Sequence, residues 1–495
     1  MFYGAGRYTF PRTAATKDTH STRRSRVAGS QTPWKTNGEH MNPCSLAEAG
    51  RQLLARTVTS LELVEECLDR IRRYDDRVRA WVLVDEEGAR RAAAAADEAI
   101  TRGESISLLH GIPLGIKDII DVAGWPTRAG SRLRENHRAS NDAPLVASLR
   151  RAGAILLGKT VTVEFACFDP PPTRNPWDPA LQHTPGGSSS GSAAAVAMGM
   201  CLGALGTQTG GSLVRPSTYC GIATCKPTFG RLPTDGVVPV SYHLDHPGPM
   251  ARTVEDLKIL LDHLPWSDQG LSRVLPGGLA PLAGQEDAAI RSLADQPTLG
   301  LVETMFLDEA QQSVRQATEV ALDALRRGGA RFERVTLPEG FREILPLHRR
   351  IMAVEAAAYH RHNFAAHRDL YGPMIAVLLD EGLATSAVDY AAALAHQREF
   401  QRRIGPLFDG FDALVMPSTD TTAPATLATT GNNRNQAPWS YLGVPVISIP
   451  CGLADDGMPV GLQLVQRHNR ELELFRVAQW CEERLAFTAL PPLLD

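Results

Sequence analysis

Hydrophobic positions along the chain switch repeatedly between the period of a helix and that of a strand. After Thr59, apolar side chains such as Val64 and Leu68 recur at helical spacing, and Thr59 is a suitable N-cap. The next apolar run, residues 80–84, is short and typical of a strand, and an Ala-rich helix is predicted from about Gly88. Strands that alternate with helices indicate an α/β fold.

The same alternation returns later in the chain. The pattern predicts strands over residues 154–157, 298–302, 331–336, 413–416 and 444–449, and helices over residues 144–152, 309–327 and 470–485. Residues 340–405 are predicted to be mostly helical. Residues 264–296 are rich in Gly, Pro and Asp and are expected to form a long surface connection. Length alone suggests two or three domains, but large sheet-centred enzymes can form one unit, so we expect one large domain over residues 43–495.

Residues 1–42 differ from the remainder of the chain. Basic residues are interspersed there with Ser, Thr, Gly and Pro, and acidic residues are few. A transit peptide has a similar composition, but this segment has neither an apolar core nor an amphipathic period. A disordered or artefactual extension is therefore the favoured interpretation.

Composition narrows the class of protein. The 495 residues are 43% hydrophobic and 21% charged, which is ordinary globular usage. The net charge of -4 comes from acidic and basic residues that are mixed along the chain, so no nucleic-acid partner is expected. No apolar stretch approaches 18 residues, so we expect no membrane span. Eight cysteines at irregular spacing favour a reducing, cytoplasmic location.

One segment satisfies the literal phosphate-loop pattern. Gly153 is followed by four variable residues and then by Gly158, Lys159 and Thr160. A phosphate loop needs its variable residues in a turn between a strand and a helix, whereas residues 154–157 are predicted to be the strand itself. Nucleotide binding is therefore only a remote alternative.

Four histidines, His348, His360, His362 and His367, invite comparison with a metal site. Their segment is predicted to be helical, where positions two apart point to different faces and cannot chelate one ion together. No H-E-x-x-H spacing accompanies them. We expect neither a metal nor a cofactor.

Two glycine-serine segments carry the most informative chemistry. Residues 185–192 and 206–212 are joined by an Ala-rich, helix-like run. Glycines beside a serine let backbone N–H groups converge, which is the geometry of an oxyanion hole. A flexible linker is the alternative, but linkers are rarely embedded between buried-type segments.

A lone lysine, Lys117, follows the apolar run of residues 111–116. Apolar surroundings weaken a lysine's hold on its proton, so Lys117 is a candidate general base. The alternative is an exposed lysine that pairs with Asp118 at a strand end.

Together these segments resemble the amidase signature family. The most specific matches are G-I-P-L-G-I-K-D at 111–118, G-G-S-S-S-G-S at 186–192 and G-T-Q-T-G-G-S-L-V-R-P at 206–216. The similarity runs from about residue 45 to 487. It implies an α/β domain in which helices cover both faces of a central twisted mixed sheet. It also implies core motifs within 111–228, and residues 340–405 are expected to build much of the substrate pocket.

The resemblance also implies the roles of individual residues. Ser212 attacks the carbonyl carbon, Ser188 relays its proton, and Lys117 is the base. A cis peptide bond precedes Ser188. The backbone N–H groups of Thr209, Gly210, Gly211 and Ser212 form the oxyanion hole. This chemistry is sound without the family name, because a serine hydroxyl needs a base and an amide leaving group needs the proton returned.

Substrate contacts are less sharply defined. Arg215 is a candidate to bind a substrate carboxylate, with a structural ion pair as the equal alternative. Ser189 and Gln208 are further candidates. Many family members have Asp at the position of Gln208 and Gly at that of Ser190, which leaves the substrate class open.

The predicted activity is hydrolysis of amide-type C–N bonds in a small amide, aryl amide or carbamate, the last being urethanase activity. The protein is expected to act as a monomer or homodimer. The alternative is the amidase subunit of a tRNA-dependent amidotransferase complex, against which Gln208 and the lack of a basic surface argue mildly.

Overall fold

The computed structural model describes residues 44–267 and 296–494. The predicted extension, residues 1–42, and most of the predicted connection at 264–296 lie outside the described residues. The strands of the described part are β1 (Trp81–Val84), β2 (Pro113–Lys117), β3 (Ile155–Thr160), β4 (Gly203–Gln208), β5 (Ala223–Lys226), β6 (His246–Ala251), β7 (Thr298–Leu301), β8 (Arg331–Arg334), β9 (Ala413–Pro417), β10 (Val446–Leu453) and β11 (Pro459–Val465).

The same residues contain thirteen α-helices. They are α1 (Leu46–Leu54), α2 (Ser60–Val78), α3 (Glu86–Thr101), α4 (Pro144–Arg151), α5 (Ser190–Ala197), α6 (Val214–Tyr219), α7 (Val254–Asp262), α8 (Gln312–Arg327), α9 (Ile344–Ala366), α10 (Pro373–Ala384), α11 (Ala387–Arg403), α12 (Ala437–Leu442) and α13 (Glu471–Leu485). Thr59 caps α2 as predicted, in a reciprocal capping box with Glu62.

All eleven strands belong to one mixed sheet in the order β1-β3-β2-β4-β6-β5-β10-β11-β9-β7-β8. β2 is parallel to both β3 and β4, and β7 is parallel to both β8 and β9. The other neighbours are antiparallel. The predicted α/β fold with a mixed central sheet is confirmed.

The sheet contains strands that local pattern did not predict. β6 has the sequence H-P-G-P-M-A, with no β-branched residue, yet every position is buried between β4 and β5. Strand preference depends on packing against neighbours, so the position in the sheet outweighs the glycine and prolines.

The parallel pairing of β2 with β4 brings two distant motifs to one edge of the sheet. Lys117 is the last residue of β2 and Gln208 the last residue of β4. Because the carboxyl ends of parallel strands meet at the same edge, the loop after β4 starts beside Lys117. The residues of 111–118 and 206–212 therefore share one end of the fold.

Candidate active site

Lys117 lies at the centre of the site and is completely buried. Its Nζ donates hydrogen bonds to Ser188 Oγ at 2.7 Å and to Thr207 Oγ1 at 2.8 Å. Burial disfavours the charged ammonium and lowers the pKa of Lys117 to about 7. The alternative of an exposed lysine paired with Asp118 is wrong, because Asp118 instead forms a buried ion pair with Lys159.

Ser188 reaches Lys117 from the loop that precedes α5. The peptide bond between Gly187 and Ser188 is cis, as the family resemblance implied. Ser188 is 1% exposed, and its carbonyl accepts the N–H of Val163 at 3.4 Å. The side chain is thus held between β2 and the start of α5.

Ser212 lies on the loop between β4 and α6 and borders the same narrow cavity as Ser188. The backbone carbonyl of Ser212 accepts the N–H of Ser189 at 3.3 Å, which joins the two serine loops directly. The structure therefore brings all three predicted side chains to one place. The cavity is lined by Val163, Ala166, Cys167, Phe168, Ser188, Thr209, Gly210, Gly211, Ser212, Arg215, Met352, Thr430 and Asn433.

The loop of residues 209–212 presents backbone N–H groups without protein partners. Within the described residues, no hydrogen bond is donated by any of these four amides. The two following amides, Leu213 and Val214, both donate to Gln208 Oε1, at 2.9 and 3.0 Å. The four N–H groups of residues 209–212 therefore have no protein acceptor at the wall of the cavity, as an oxyanion hole requires.

Glycine is required at two positions of this loop. A Cβ on Gly210 would lie 2.4 Å from Asn433 Nδ2, and one on Gly211 would lie 2.6 Å from Gln436 Oε1. The segment that contains Asn433 and Gln436 thus packs directly on the glycines. A side chain at either position would force this segment to move.

Gln208 and Ser189 are engaged inside the protein. Gln208 is completely buried, and besides accepting the two amides its Nε2 donates to Ser440 Oγ at 3.0 Å. Ser440 Oγ in turn donates to the carbonyl of Gly210. Ser189 Oγ donates to the carbonyl of Thr207 and accepts its N–H. These contacts support the loop, and neither side chain lines the cavity.

Arg215, in contrast, does line the cavity and is 4% exposed. Its guanidinium donates to the carbonyls of Gly187 and Gly431 and to Thr430 Oγ1, while Nε has no partner. No acidic side chain in the described residues lies within ion-pair distance of it. Burial lowers the pKa of Arg215 to about 10, so it remains charged. The alternative of a structural ion pair is wrong.

Sequence reasoning missed three residues that hold the site. Thr207 accepts from Lys117, Asp245 Oδ1 accepts from Thr209 Oγ1 at 2.6 Å, and His348 Nε2 lies 3.0 Å from the carbonyl of Thr209. Thr207 lies within the motif at residues 206–216, so the sequence already indicated that it is close to the site. The other two come from segments far away in sequence, and only the fold brings them together.

The phosphate-loop alternative for residues 153–160 is wrong. Residues 155–160 form β3, and Lys159 is completely buried against Asp118, at 2.9 Å. Lys159 also donates to the carbonyl of Pro126 and to Thr127. A lysine that is fully engaged in the core has no means of holding a phosphate.

The helical segment 340–405 borders two cavities. Met352 of α9 lines the cavity of the serines. Gln397, Arg398 and Gln401 of α11 line a separate cavity of about 570 Å³, which also borders Asp245. The expectation that this segment builds much of the substrate pocket stays a prediction.

Comparisons with known proteins place this arrangement among the hydrolases that act on C–N bonds. A family model described as Amidase matches residues 62–475, and the chain belongs to this family.

The chain is 35% identical to a glutamyl-tRNA(Gln) amidotransferase subunit of Chloroflexus aggregans, over 88% of this chain and 94% of that protein. It is 35% identical to an amidase of Pseudomonas putida, over 84% of this chain and 90% of that protein. The native peptide amidase of Stenotrophomonas maltophilia has the same fold, with a TM-score of 0.78 and 30% identity over 90% of this chain and 98% of that one. Across residues 44–267 and 296–494, no helix has the length and apolar character to cross a membrane.

Proposed function

We propose that the protein hydrolyses amide-type C–N bonds through an acyl-enzyme on Ser212. Ser212 Oγ attacks the substrate carbonyl while its proton passes to Ser188 Oγ, and the proton of Ser188 passes to Lys117 Nζ. Collapse of the tetrahedral intermediate returns a proton along the same route to the leaving nitrogen. Water then attacks the acyl-enzyme with the same base assisting.

The hydrogen bond between Lys117 and Ser188 is the observation that carries this proposal. A serine hydroxyl both donates and accepts, so it can relay a proton between Ser212 and the lysine. The lysine is suited to the task because its pKa of about 7 lies near neutral pH. A base whose pKa matches the working pH is deprotonated often enough to accept a proton and still returns it readily.

The amides of Thr209, Gly210, Gly211 and Ser212 are proposed to hold the oxyanion. Fixed donors that point at a developing charge require no reorganisation during the reaction. Removal of one strong donor in such a site costs about 3 to 4 kcal/mol of transition-state stabilisation. The lack of competing protein acceptors for these amides supports the assignment.

A small amide, aryl amide or carbamate is the proposed substrate. The match to an amidase of Pseudomonas putida supports a free-standing enzyme. The equal identity to a glutamyl-tRNA(Gln) amidotransferase subunit keeps a second candidate, the amidase subunit of a tRNA-dependent amidotransferase. Hydrolysis of simple amides by the purified chain alone, at rates that added tRNA leaves unchanged, favours the first candidate.

Arg215 is proposed to bind an anionic group of the substrate. It is a buried cation with no acidic side chain within ion-pair distance in the described structure, where Asp420 favours its charge from farther away, and it borders the cavity of the two serines. A substrate carboxylate could pair with it directly. A substrate that carries a carboxylate and its methyl ester, otherwise identical, test this: Arg215→Met should raise KM for the carboxylate substrate more than for the ester, since the loss of the hydrogen bond to the Gly187 carbonyl affects both. Equal losses for both compounds would contradict the proposal.

Hydroxylamine trapping tests the mechanism. A panel of amides, carbamates, ureas and esters is incubated with the enzyme and hydroxylamine, and hydroxamate products are identified by mass spectrometry. Hydroxamates show an acyl-enzyme and reveal which acyl group is accepted. Ser212→Ala should abolish both hydrolysis and hydroxamate formation. Turnover by this variant close to the wild-type rate would overturn the proposal.

A further inference from the structure

Asp245 lies beside the first residue of the 209–212 loop because of strand pairing. It immediately precedes β6, and β6 pairs with β4 so that His246 faces Gln208 at the end of the ladder. The residues beyond each strand end, Asp245 and Thr209, are therefore neighbours. Asp245 Oδ1 accepts the hydroxyl of Thr209 at 2.6 Å.

The carboxylate of Asp245 is itself tightly held. Its Oδ2 accepts the backbone N–H of Val240 at 2.8 Å and that of Ser241 at 3.1 Å. An asparagine could keep these three hydrogen bonds, because its Oδ1 can accept the two backbone amides while its NH₂ group donates to the Thr209 hydroxyl, but it would carry no charge.

Thr209 is fixed from its other side by a second remote residue. His348 Nε2, on α9, lies within hydrogen-bond distance of the Thr209 carbonyl. Burial lowers the pKa of His348 to about 4, so the imidazole is neutral and donates this bond. Hydrogen bonds thus hold both the side chain and the carbonyl of Thr209 in place. They fix the peptide backbone at Thr209 and therefore the direction of its N–H group.

Asp245 also acts on Lys117 by charge. Burial lowers the pKa of Lys117, and the negative charge of Asp245 opposes this effect by favouring the ammonium. Burial raises the pKa of Asp245, the charge of Glu355 on α9 raises it further, and the hydrogen bonds from Thr209, Val240 and Ser241 lower it. That pKa is about 6, so the carboxylate is mostly ionised at neutral pH.

We propose that Asp245 is a positioning residue of the active site, which orients the oxyanion loop through Thr209 and places a negative charge at the strand-end edge that also carries Lys117. This rests on the proposed function, because both effects act on groups assigned there. Asp245 does not contact the reacting atoms. It connects the loop that holds the oxyanion to the base that moves the proton.

The two effects separate in two variants. Asp245→Asn removes the charge and keeps the hydrogen bonds, so the acid limb of the kcat/KM profile should move about one unit to lower pH while kcat falls by less than about 10-fold. The limb moves down because loss of an anion makes the Lys117 ammonium less stable. Thr209→Val removes only the hydrogen bond, so kcat should fall about 10-fold with the limb unmoved.

Asp455→Asn is the matched control, since Asp455 is an exposed acid between β10 and β11 and lines neither of the two cavities. It should leave kcat and the pH profile at wild-type values. Thr209→Ser keeps the hydroxyl and should retain most of kcat. If Asp245→Asn does not fold, the Thr209 pair still tests the contact.

An unmoved acid limb in Asp245→Asn, or a Thr209→Val enzyme with wild-type kcat, would overturn the inference. A loss of kcat in step with thermal stability, without a pH shift, would show a merely structural role and would overturn it as well. Failure of the proposed function gives a different result: Ser212→Ala would stay active and no hydroxamate would form.

Discussion

Two lysines of this protein are buried to the same extent but differ in the groups that accept hydrogen bonds from their ammonium groups. Lys117 ends β2 and Lys226 ends β5, and both are completely buried. Burial lowers the pKa of each to about 7. Lys117 donates to two hydroxyls, whereas Lys226 donates to the backbone carbonyls of Val444, at 2.6 Å, and Pro227.

The difference shows what a buried lysine needs to act as a base. A carbonyl accepts a hydrogen bond but has no proton to give, so Lys226 cannot take part in proton exchange with its partners. Ser188 has a proton to give to Lys117. Burial therefore lowers the pKa of both lysines, and the chemical nature of the hydrogen-bond partner decides which lysine can act as a base.

Replacement of each lysine by methionine tests the comparison most strongly. Lys117→Met should lower kcat by about 10² to 10⁴, because a general base contributes about that much. Lys226→Met, the matched control, should keep kcat per folded molecule near the wild-type value. Steady-state kinetics on both variants, normalised to the folded fraction by circular dichroism, gives the answer.

Equal kinetic losses in the two variants would contradict the comparison. They would mean that a common effect of burial, and not the hydroxyl partner, sets activity. Wild-type kcat in Lys117→Met would remove the lysine from the mechanism altogether.

A third buried lysine sharpens the contrast, because Lys159 is paired with Asp118. Lys159→Met leaves the carboxylate of Asp118 buried without its cation, which should reduce the free energy of unfolding by about 3 to 5 kcal/mol. The double variant Asp118→Asn with Lys159→Met should recover part of this loss. Urea denaturation of the single and double variants measures both values.

If the double variant is as unstable as Lys159→Met, the loss arises from packing and not from an unpaired charge. If Lys159→Met keeps wild-type stability, the ion pair contributes nothing to the fold. Either result would contradict the prediction.

Lys117 and Lys226 should contribute equally to the pH dependence of the free energy of unfolding. Both have a native pKa of about 7, and an unfolded lysine has a pKa of about 10.4. Between these values the unfolded state binds one more proton per lysine, so the free energy of unfolding rises with pH by about 1.4 kcal/mol per unit for each. Urea denaturation at intervals from pH 7 to pH 10 measures this slope.

Lys117→Met and Lys226→Met should each reduce the slope by about 1.4 kcal/mol per pH unit, because each removes one lysine that binds a proton only in the unfolded state. The lysine penalises folding most at pH 7 and below, and this penalty disappears as the pH approaches the unfolded pKa. An unchanged slope in Lys226→Met would show that its native pKa is not lowered.

The sequence was sufficient for the fold class, and its short motifs carry the family resemblance that implied Lys117, Ser188 and Ser212. The structure places the two serines at one cavity and joins Ser188 to Lys117 by a hydrogen bond, while their catalytic roles stay predictions. The sequence was not sufficient for Asp245 and His348, which reach Thr209 only through the pairing of β6 with β4 and the packing of α9. Local pattern also missed β6, whose strand state depends on its neighbours.

The smallest expected effect concerns the second hydroxyl bound to Lys117. Thr207 Oγ1 accepts from Nζ at 2.8 Å and is not on the proposed proton route. Thr207→Val keeps the shape and removes the acceptor, so the lysine loses one restraint on its direction. A net hydrogen bond is worth about 1 kcal/mol, which corresponds to a roughly five-fold lower kcat.

Thr207→Ser keeps the acceptor and serves as the control, with kcat expected close to the wild-type value. Pre-steady-state measurement of acylation separates this small effect from changes in product release. A loss as large as that of Lys117→Met would place Thr207 on the proton route in place of Ser188. That result would keep the principle that a hydroxyl partner distinguishes Lys117 from Lys226, but it would change which hydroxyl is responsible.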